Sequence, residues 1–231
     1  MSTGVLAVVV VVPARDERDL IGQCLDALEA AVERVELQVL TVVVLDSCTD
    51  DTESALCGRR VVAVASTAGC VGAARAAGVR TGLARLPGIP VDQVWIASTD
   101  ADSAVDPSWL QHQIALADAG ADLWLGTVRL ARDSAPAPLA AAWTATYSAA
   151  DDHHHVHGAN LGVRASAYRR VGGFAPVSVD EDVHLADAVA PDPAAMVVRS
   201  AAAPVTTSGR RVGRAPDGFA AYLEALDEQA G

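Results

Sequence analysis

Apolar runs alternate with segments of helical spacing through the first hundred residues. The run VLAVVVVV at residues 5–12 predicts a buried strand, and residues 17–35 carry apolar side chains every three or four positions, which predicts a helix. Three further strands are predicted at residues 37–46, 59–66 and 92–99. A loop that enters a helix (47–56) and a glycine-rich helix (69–86) separate these strands. Strands separated by helices imply right-handed crossovers and an open parallel sheet of the α/β class.

The second half of the chain has a less regular pattern. It predicts helices at residues 106–120, 139–150 and 217–229, and strands at 121–130 and near 194–207. A basic loop, SGRRVGR, precedes the last helix. Because no repeat or linker interrupts the pattern, we expect one domain that covers residues 1–231.

Composition excludes several functions. The net charge of −12 disfavours a nucleic-acid surface, and all 17 basic residues are arginine, so lysine-dependent P-loops and Schiff-base enzymes are excluded. The four cysteines lack C-x-x-C spacing, which indicates reduced thiols. The longest apolar run is too short to span a membrane and does not resemble a signal peptide, so we expect a cytoplasmic protein.

Polar clusters follow each of the first four predicted strands. They are PARDE (13–17), DSCTDDT (46–52), STAGCVG (66–72) and STDADS (98–103). Each cluster alone is typical of a turn. Ligands of open α/β sheets bind beyond the carboxyl ends of the strands, so four clusters at one edge predict a shared site.

The cluster STDADS contains two aspartates, Asp100 and Asp102. They could simply form a turn, or they could bind a hard cation, since Mg²⁺ and Mn²⁺ prefer oxygen ligands and bridge carboxylates to phosphates. The spacing alone does not decide between these interpretations.

The ordered set VVVPARDE, VVVLDSCTDDT, GAARAAG, STDADS, GANLGVRASAYRRVGGF and DEDVHLA resembles the family 2 nucleotide-sugar glycosyltransferases of the GT-A fold over residues 5–190. The resemblance implies a single GT-A-type domain, with a Rossmann-like, mostly parallel central sheet flanked by helices. Residues 1–103 would form the nucleotide-donor half, and 104–231 the acceptor half with the basic loop and last helix. Two positions depart from the family pattern: Asp46 stands alone where many members have two aspartates, and Ala76 replaces an asparagine.

The resemblance also implies a reaction and a set of donor contacts. A sugar would pass from a UDP- or GDP-sugar to an acceptor hydroxyl, with inversion, and Asp102 with Asp100 would bind Mn²⁺ or Mg²⁺. The expected donor-binding residues are Pro13, Arg15, Glu17, Asp46, Arg75, Asp100, Arg210, Arg211 and Arg214. The last three belong to the basic loop, which would either close over the diphosphate or form a solvated turn.

The late motif DEDVHLA would supply the catalytic carboxylates. Inverting transfer needs a carboxylate that accepts the proton of the attacking hydroxyl. The resemblance implies that Asp182 is this base and that Glu181 orients the acceptor or neighbouring backbone. The alternative is an acidic first turn of a helix.

The segment HHHVHGAN at 153–160 is expected to line the acceptor pocket through His157, Gly158 and Asn160. The usual zinc spacing is missing. Trp109 and Trp143 could form a stacking platform for a sugar ring, although buried packing is favoured. A soluble, small-molecule acceptor is preferred over a lipid. Two alternatives stay open: a catalytically silent nucleotide-sugar-binding protein and a retaining transferase.

Overall fold

The first strand, β1 (Ala7–Ala14), is buried on both faces, and its alternating valines serve two separate cores. Val8 and Val10 pack in the core on one side of the sheet, whereas Val9 and Val11 pack in the core on the other side. This alternation follows from the two-residue period of a strand, and β-branched residues suit a strand covered on both faces. The computed structural model describes residues 4–132, 134–211, 213 and 218–230.

Eight strands and seven α-helices make up the described chain. The other strands are β2 (Gln38–Asp46), β3 (Val61–Ser66), β4 (Val94–Ser98), β5 (Ser103–Ala104), β6 (Leu123–Leu130), β7 (Leu161–Arg164) and β8 (Val197–Thr207). The helices are α1 (Ile21–Val32), α2 (Val71–Ala84), α3 (Trp109–Asp118), α4 (Ala137–Thr146), α5 (Ala165–Arg170), α6 (Glu181–Val189) and α7 (Phe219–Ala230). None of these helices is long and apolar enough to cross a membrane.

All eight strands form one sheet in the order β3-β2-β1-β4-β7-β6-β8-β5. The first four of these are mutually parallel, so their carboxyl ends meet at one edge. β7 runs antiparallel to β4 and β6, β8 runs parallel to β6, and β5 pairs antiparallel with β8. The prediction of an α/β fold with a mostly parallel sheet flanked by helices is confirmed.

One local prediction differs from the structure, and two short strands were not predicted. The segment after β2 forms only a five-residue 3₁₀ helix, Thr52–Leu56, rather than entering an α-helix. β7 and β5 were not predicted, because four and two residues are too few to show a period of two. They matter for the site, since β7 follows the loop that carries His157 and β5 follows Asp102 directly.

Glycines bring α2 unusually close to the sheet. A Cβ on Gly78 would overlap Val11 of β1, and a Cβ on Gly82 would overlap Val9. The two missing side chains therefore let the helix backbone lie against β1. This close packing places Arg75, one turn into α2, at the carboxyl edge of the sheet.

Candidate active site

A cleft of about 610 Å³ lies at the carboxyl edge of the parallel strands. It brings together most of the residues that the sequence singled out. These are Pro13, Arg15, Glu17, Asp46, Arg75, Asp100, Asp102, His157, Gly158, Glu181, Asp182 and Arg210. Residues far apart in the chain thus share one cavity.

Arg75 is buried and its guanidinium binds three different segments. Nε lies 2.8 Å from Oε1 of Glu181, Nη1 lies 2.5 Å from Oγ of Ser98, and Nη2 lies 2.6 Å from Oδ1 of Asp100. The absence of a Cβ on Gly158 leaves room for this guanidinium. Each nitrogen thus has a protein partner, so Arg75 links the acidic residues of the cleft, and its contact with the donor stays a prediction.

The same contacts fix the position of Glu181, which was predicted to be one of the catalytic residues. Its carboxylate is buried and accepts the hydrogen bond from Arg75. Glu181 is thus paired with Arg75, and its role in catalysis stays a prediction.

Asp182, the next residue in α6, faces the cleft and is held by two backbone N–H groups. Gly158 donates to Oδ2, and Val183 donates to Oδ1 at 2.8 Å. Burial, followed by the charge of Glu181, raises the pKa of Asp182 to about 6, and the Arg75 charge and the two N–H donors oppose this rise. The carboxylate is therefore ionised at neutral pH and more basic than an exposed aspartate, as a general base requires.

Asp102 lies at the other end of the acidic set, and its side chain is 13% exposed. Burial, followed by the charge of Asp100, raises the pKa of Asp102 to about 6. Arg210 opposes this shift: Nη2 lies 3.0 Å from Oδ2 of Asp102, and the same guanidinium binds both carboxylate oxygens of Glu17 at 2.5 and 2.8 Å. Arg210 thus stands between two acidic side chains of the donor half.

These carboxylates fit a divalent cation. Burial and the nearby charges of Asp100 and Glu17 raise the pKa of Asp102, so a bound cation would stabilise its ionised form, and carboxylate oxygens are the ligands that Mg²⁺ and Mn²⁺ prefer. Asp102 and Asp100 supply only two side chains, so further ligands would come from donor phosphates and water, as is usual for these ions.

The histidine segment does not gather ligand atoms for a metal. Within the described ranges, the single group of three His, Cys, Asp or Glu ligand atoms within 4.8 Å of one another is Asp16, Cys48 and Asp50. Those residues hold a loop: Oδ1 of Asp16 accepts from the backbone N–H groups of Thr49 and Asp50. Zinc at residues 153–157 is thus not supported.

Asp46 at the end of β2 is buried and shapes the loop that leads into α2. Its Oδ1 accepts hydrogen bonds from the Ser66 hydroxyl at 2.7 Å and the Gly69 N–H at 3.1 Å, and its Oδ2 accepts from the Cys70 N–H at 3.0 Å. The carboxylate therefore fixes one rim of the cleft. A nucleotide base N–H could bind Asp46 only through a lone pair that these three donors leave on Oδ1 or Oδ2.

Two predicted site residues lie elsewhere, and a third falls outside the described residues. Asn160 is fully buried: Nδ2 donates to the Thr127 and Ala203 carbonyls, and Oδ1 accepts from the Trp109 indole, so the prediction that Asn160 binds the acceptor is wrong. Arg211 does not line the cleft, and its Nη1 pairs with Asp227 of α7 at 2.7 Å, so a contact of Arg211 with the donor stays a prediction. Arg214 lies outside the described residues.

Aromatic side chains that the sequence analysis did not assign to the site line the cleft beside Asp182. Tyr147, Phe219 and Tyr222 join Trp143 there. Trp143 is buried and also faces the cleft, whereas Trp109 is fully buried in the core. These rings lie up to about eighty positions apart in the sequence, so no local pattern predicts the cluster.

The chain belongs to glycosyl transferase family 2, whose sequence profile matches residues 9–137, more than half of the chain. The resemblance given by the motifs is thereby confirmed. No curated protein sequence matches the chain significantly.

Solved structures of similar fold are GT-A glycosyltransferases. Staphylococcus aureus TarS (residues 1–349, with UDP) is 14% identical with a TM-score of 0.61; the match covers 87% of this chain and 60% of that one. The mannosyltransferase PcManGT from Pyrobaculum calidifontis, with GDP-Man and Mn²⁺, is 21% identical with a TM-score of 0.61 and coverage of 90% and 58%. Glucosyl-3-phosphoglycerate synthase from Mycobacterium tuberculosis, with phosphoglyceric acid, is 18% identical with a TM-score of 0.60 and coverage of 97% and 77%. The chain thus spans about 60% of the length of TarS residues 1–349 and of PcManGT.

Proposed function

We propose that this chain transfers a sugar from a nucleotide-diphosphate donor to an acceptor hydroxyl, with inversion at the anomeric carbon. The observation that carries the proposal is the link through Arg75. One buried guanidinium binds Asp100 and Glu181, which lie next to or near the two candidate functional carboxylates, Asp102 and Asp182. This link would hold a cation-binding group and a base at fixed positions in one cleft.

The donor half of the cleft suits a UDP- or GDP-sugar. TarS was solved with UDP and PcManGT with GDP-Man and Mn²⁺, and both share the fold. Asp102 and Asp100 would hold Mn²⁺ or Mg²⁺, and the bound ion would neutralise charge on the departing diphosphate. Arg210, released from Asp102, would then turn its guanidinium toward the same phosphates.

Asp182 would act as the base. The acceptor oxygen forms a bond to the anomeric carbon while the bond from that carbon to the diphosphate oxygen breaks, and the hydroxyl proton passes to a carboxylate oxygen of Asp182. The nucleoside diphosphate leaves with the electron pair of the broken bond. The Gly158 and Val183 N–H groups hold the carboxylate in place during this transfer. An ionised carboxylate with a raised pKa favours inversion over a retaining mechanism, which needs no such base.

Nucleotide release from a panel of UDP- and GDP-sugars tests the proposal. The purified protein with Mn²⁺ should release UDP or GDP, and Asp182→Asn should lower the rate at least about 100-fold, because general bases contribute roughly this much. Asp187→Asn is the matched control, since Asp187 lies exposed on the same helix. A rate for Asp182→Asn equal to that of Asp187→Asn would refute the assignment of the base.

A further inference from the structure

Aromatic rings form one wall of the cleft beside Asp182. We call this surface the aromatic wall; it consists of Trp143, Tyr147, His155, His157, Phe219 and Tyr222. The rings come from α4, the loop that follows it, the loop before β7, and α7. The aromatic wall is continuous with the base, because the backbone N–H of Gly158, the residue after His157, donates to Asp182.

The aromatic wall is ordered by its own contacts. Tyr147 is stacked on Trp143 at a centroid distance of 4.3 Å and on His155 at 4.1 Å, with interplanar angles of 19° and 13°. Phe219 meets Trp143 edge to face at 5.4 Å. Such offset-stacked and edge-to-face pairs are the favourable geometries for rings. The surface therefore needs little rearrangement to receive a ligand.

The surroundings of the histidines in this surface favour their neutral form. Tyr147 accepts a hydrogen bond from the Val128 N–H at 2.9 Å, so its own proton is available for Nε2 of His157, 3.0 Å away. In the neutral His157 tautomer that carries its proton on Nδ1, Nε2 accepts this hydroxyl proton. Burial, followed by the charges of neighbouring histidines, lowers the pKa of His157 to about 4, and burial also lowers the pKa of His155. The aromatic wall thus presents no positive charge.

The described arginines that line the cleft follow β1, belong to α2 or follow β8, and none belongs to the aromatic wall itself. Among the residues described, the arginines that line the cavity are Arg15, Arg75 and Arg210. Arg75 is bound to Asp100 and Glu181, and Arg210 to Glu17 and Asp102. An anionic acceptor placed against the aromatic wall would face Asp182 without a compensating partner from that wall, which disfavours its desolvation.

We propose that the aromatic wall is the acceptor subsite and that it selects an uncharged acceptor with a flat apolar face beside its attacking hydroxyl, in preference to a phosphorylated or carboxylated one. The C–H face of a pyranose and the face of an aryl alcohol share this chemistry. The inference rests on the proposed function, since it names the substrate class of the same site. Tyr222, which lines the mouth of the cleft and is 51% exposed as a residue, is the specificity residue.

Matched probe pairs test this selectivity by saturation-transfer NMR with the full chain, UDP and Mg²⁺. One pair is methyl glucoside and methyl glucuronide; the other is benzyl alcohol and 4-hydroxymethylbenzoate. Each neutral probe that binds should bind more tightly than its charged partner. Whichever neutral probe binds more tightly, methyl glucoside or benzyl alcohol, shows whether a sugar face or an aryl face is preferred.

Variants at the mouth provide the second readout. Tyr222→Ala should weaken binding of the neutral probes about 3- to 10-fold, as expected for the loss of one ring contact, and Tyr222→Phe should retain it. Leu6→Ala is the matched control, because Leu6 is similarly exposed (49%) and does not line the cleft. A comparison of thermal unfolding among the variants establishes that each is folded.

Three results would overturn the inference: charged probes that bind as tightly as their neutral partners, unchanged neutral-probe affinity in Tyr222→Ala, or no binding of either neutral probe. The proposed function fails differently. A wild-type protein that neither binds nor cleaves any nucleotide sugar would contradict that proposal, whereas one that releases nucleotide but fails the probe comparison would overturn the acceptor inference alone.

Discussion

Arg75 and Glu181 form a buried ion pair across 106 positions of sequence, with Nε of the arginine 2.8 Å from Oε1 of the glutamate. The pair connects α2, which packs on β1 and β2, to α6, which carries the candidate base. The same guanidinium binds Asp100, so the two ends of the cleft depend on one side chain.

Arg75→Lys should therefore damage both stability and activity. A lysine has one ammonium group in place of the planar guanidinium and would not reach Ser98, Asp100 and Glu181 together. We expect a loss of about 2–4 kcal/mol in the free energy of unfolding, because breaking a buried pair leaves a poorly compensated carboxylate. Urea unfolding measures this loss. Arg80→Lys, at an exposed position of the same helix, should change stability by less than about 0.5 kcal/mol; equal effects of the two substitutions would contradict the role of Arg75.

The pH dependence of transfer should report Asp182. Only the ionised carboxylate accepts a proton, so activity is present above the pKa of about 6 and is lost as the pH falls through that value. We expect kcat/KM to fall about tenfold for each pH unit below 6. The profile is measured at saturating Mg²⁺, since metal binding keeps the carboxylate of Asp102 ionised. A rate that stays constant down to pH 5 would argue against Asp182 as the base.

Arg210 should compete with the cation for Asp102. Its guanidinium occupies Oδ2 of that carboxylate, so Arg210→Ala should strengthen Mn²⁺ binding in the absence of nucleotide, by about 3- to 10-fold. The same substitution should weaken binding of the nucleotide diphosphate, because a phosphate partner is lost. Mn²⁺ titration followed by electron paramagnetic resonance measures the first effect. Arg211→Ala, which removes only the contact with Asp227, serves as the control; weaker Mn²⁺ binding in Arg210→Ala would be inconsistent with competition.

The sheet and its functional edge were predictable because valine runs and polar clusters are local patterns. The valines at positions 8–12 indicate a strand buried on both faces, and the cluster after β4 contains both Asp100 and Asp102. Each of these features extends over fewer than ten residues, so spacing and residue type suffice to find it.

Roles that depend on distant partners could not be predicted. Asn160, the one asparagine of the chain, satisfies the carbonyls of Thr127 and Ala203, and nothing near it in sequence reveals those partners. Neighbouring arginines diverge for the same reason: Arg210 meets Glu17, whereas Arg211 meets Asp227. Only the folded chain distinguishes a side chain that faces the cleft from one that stabilises the packing around it.

The central claim, that Asp102 binds the cation through which the donor is held, is tested most directly by isothermal titration of UDP and GDP. The wild-type protein should bind one of these nucleotides in the presence of Mn²⁺ or Mg²⁺ and much more weakly with a chelator. Asp102→Ala should abolish the metal-dependent part of the affinity, whereas Asp187→Ala should leave it unchanged. Binding that is equally tight with and without the metal, or that survives in Asp102→Ala, would contradict the account.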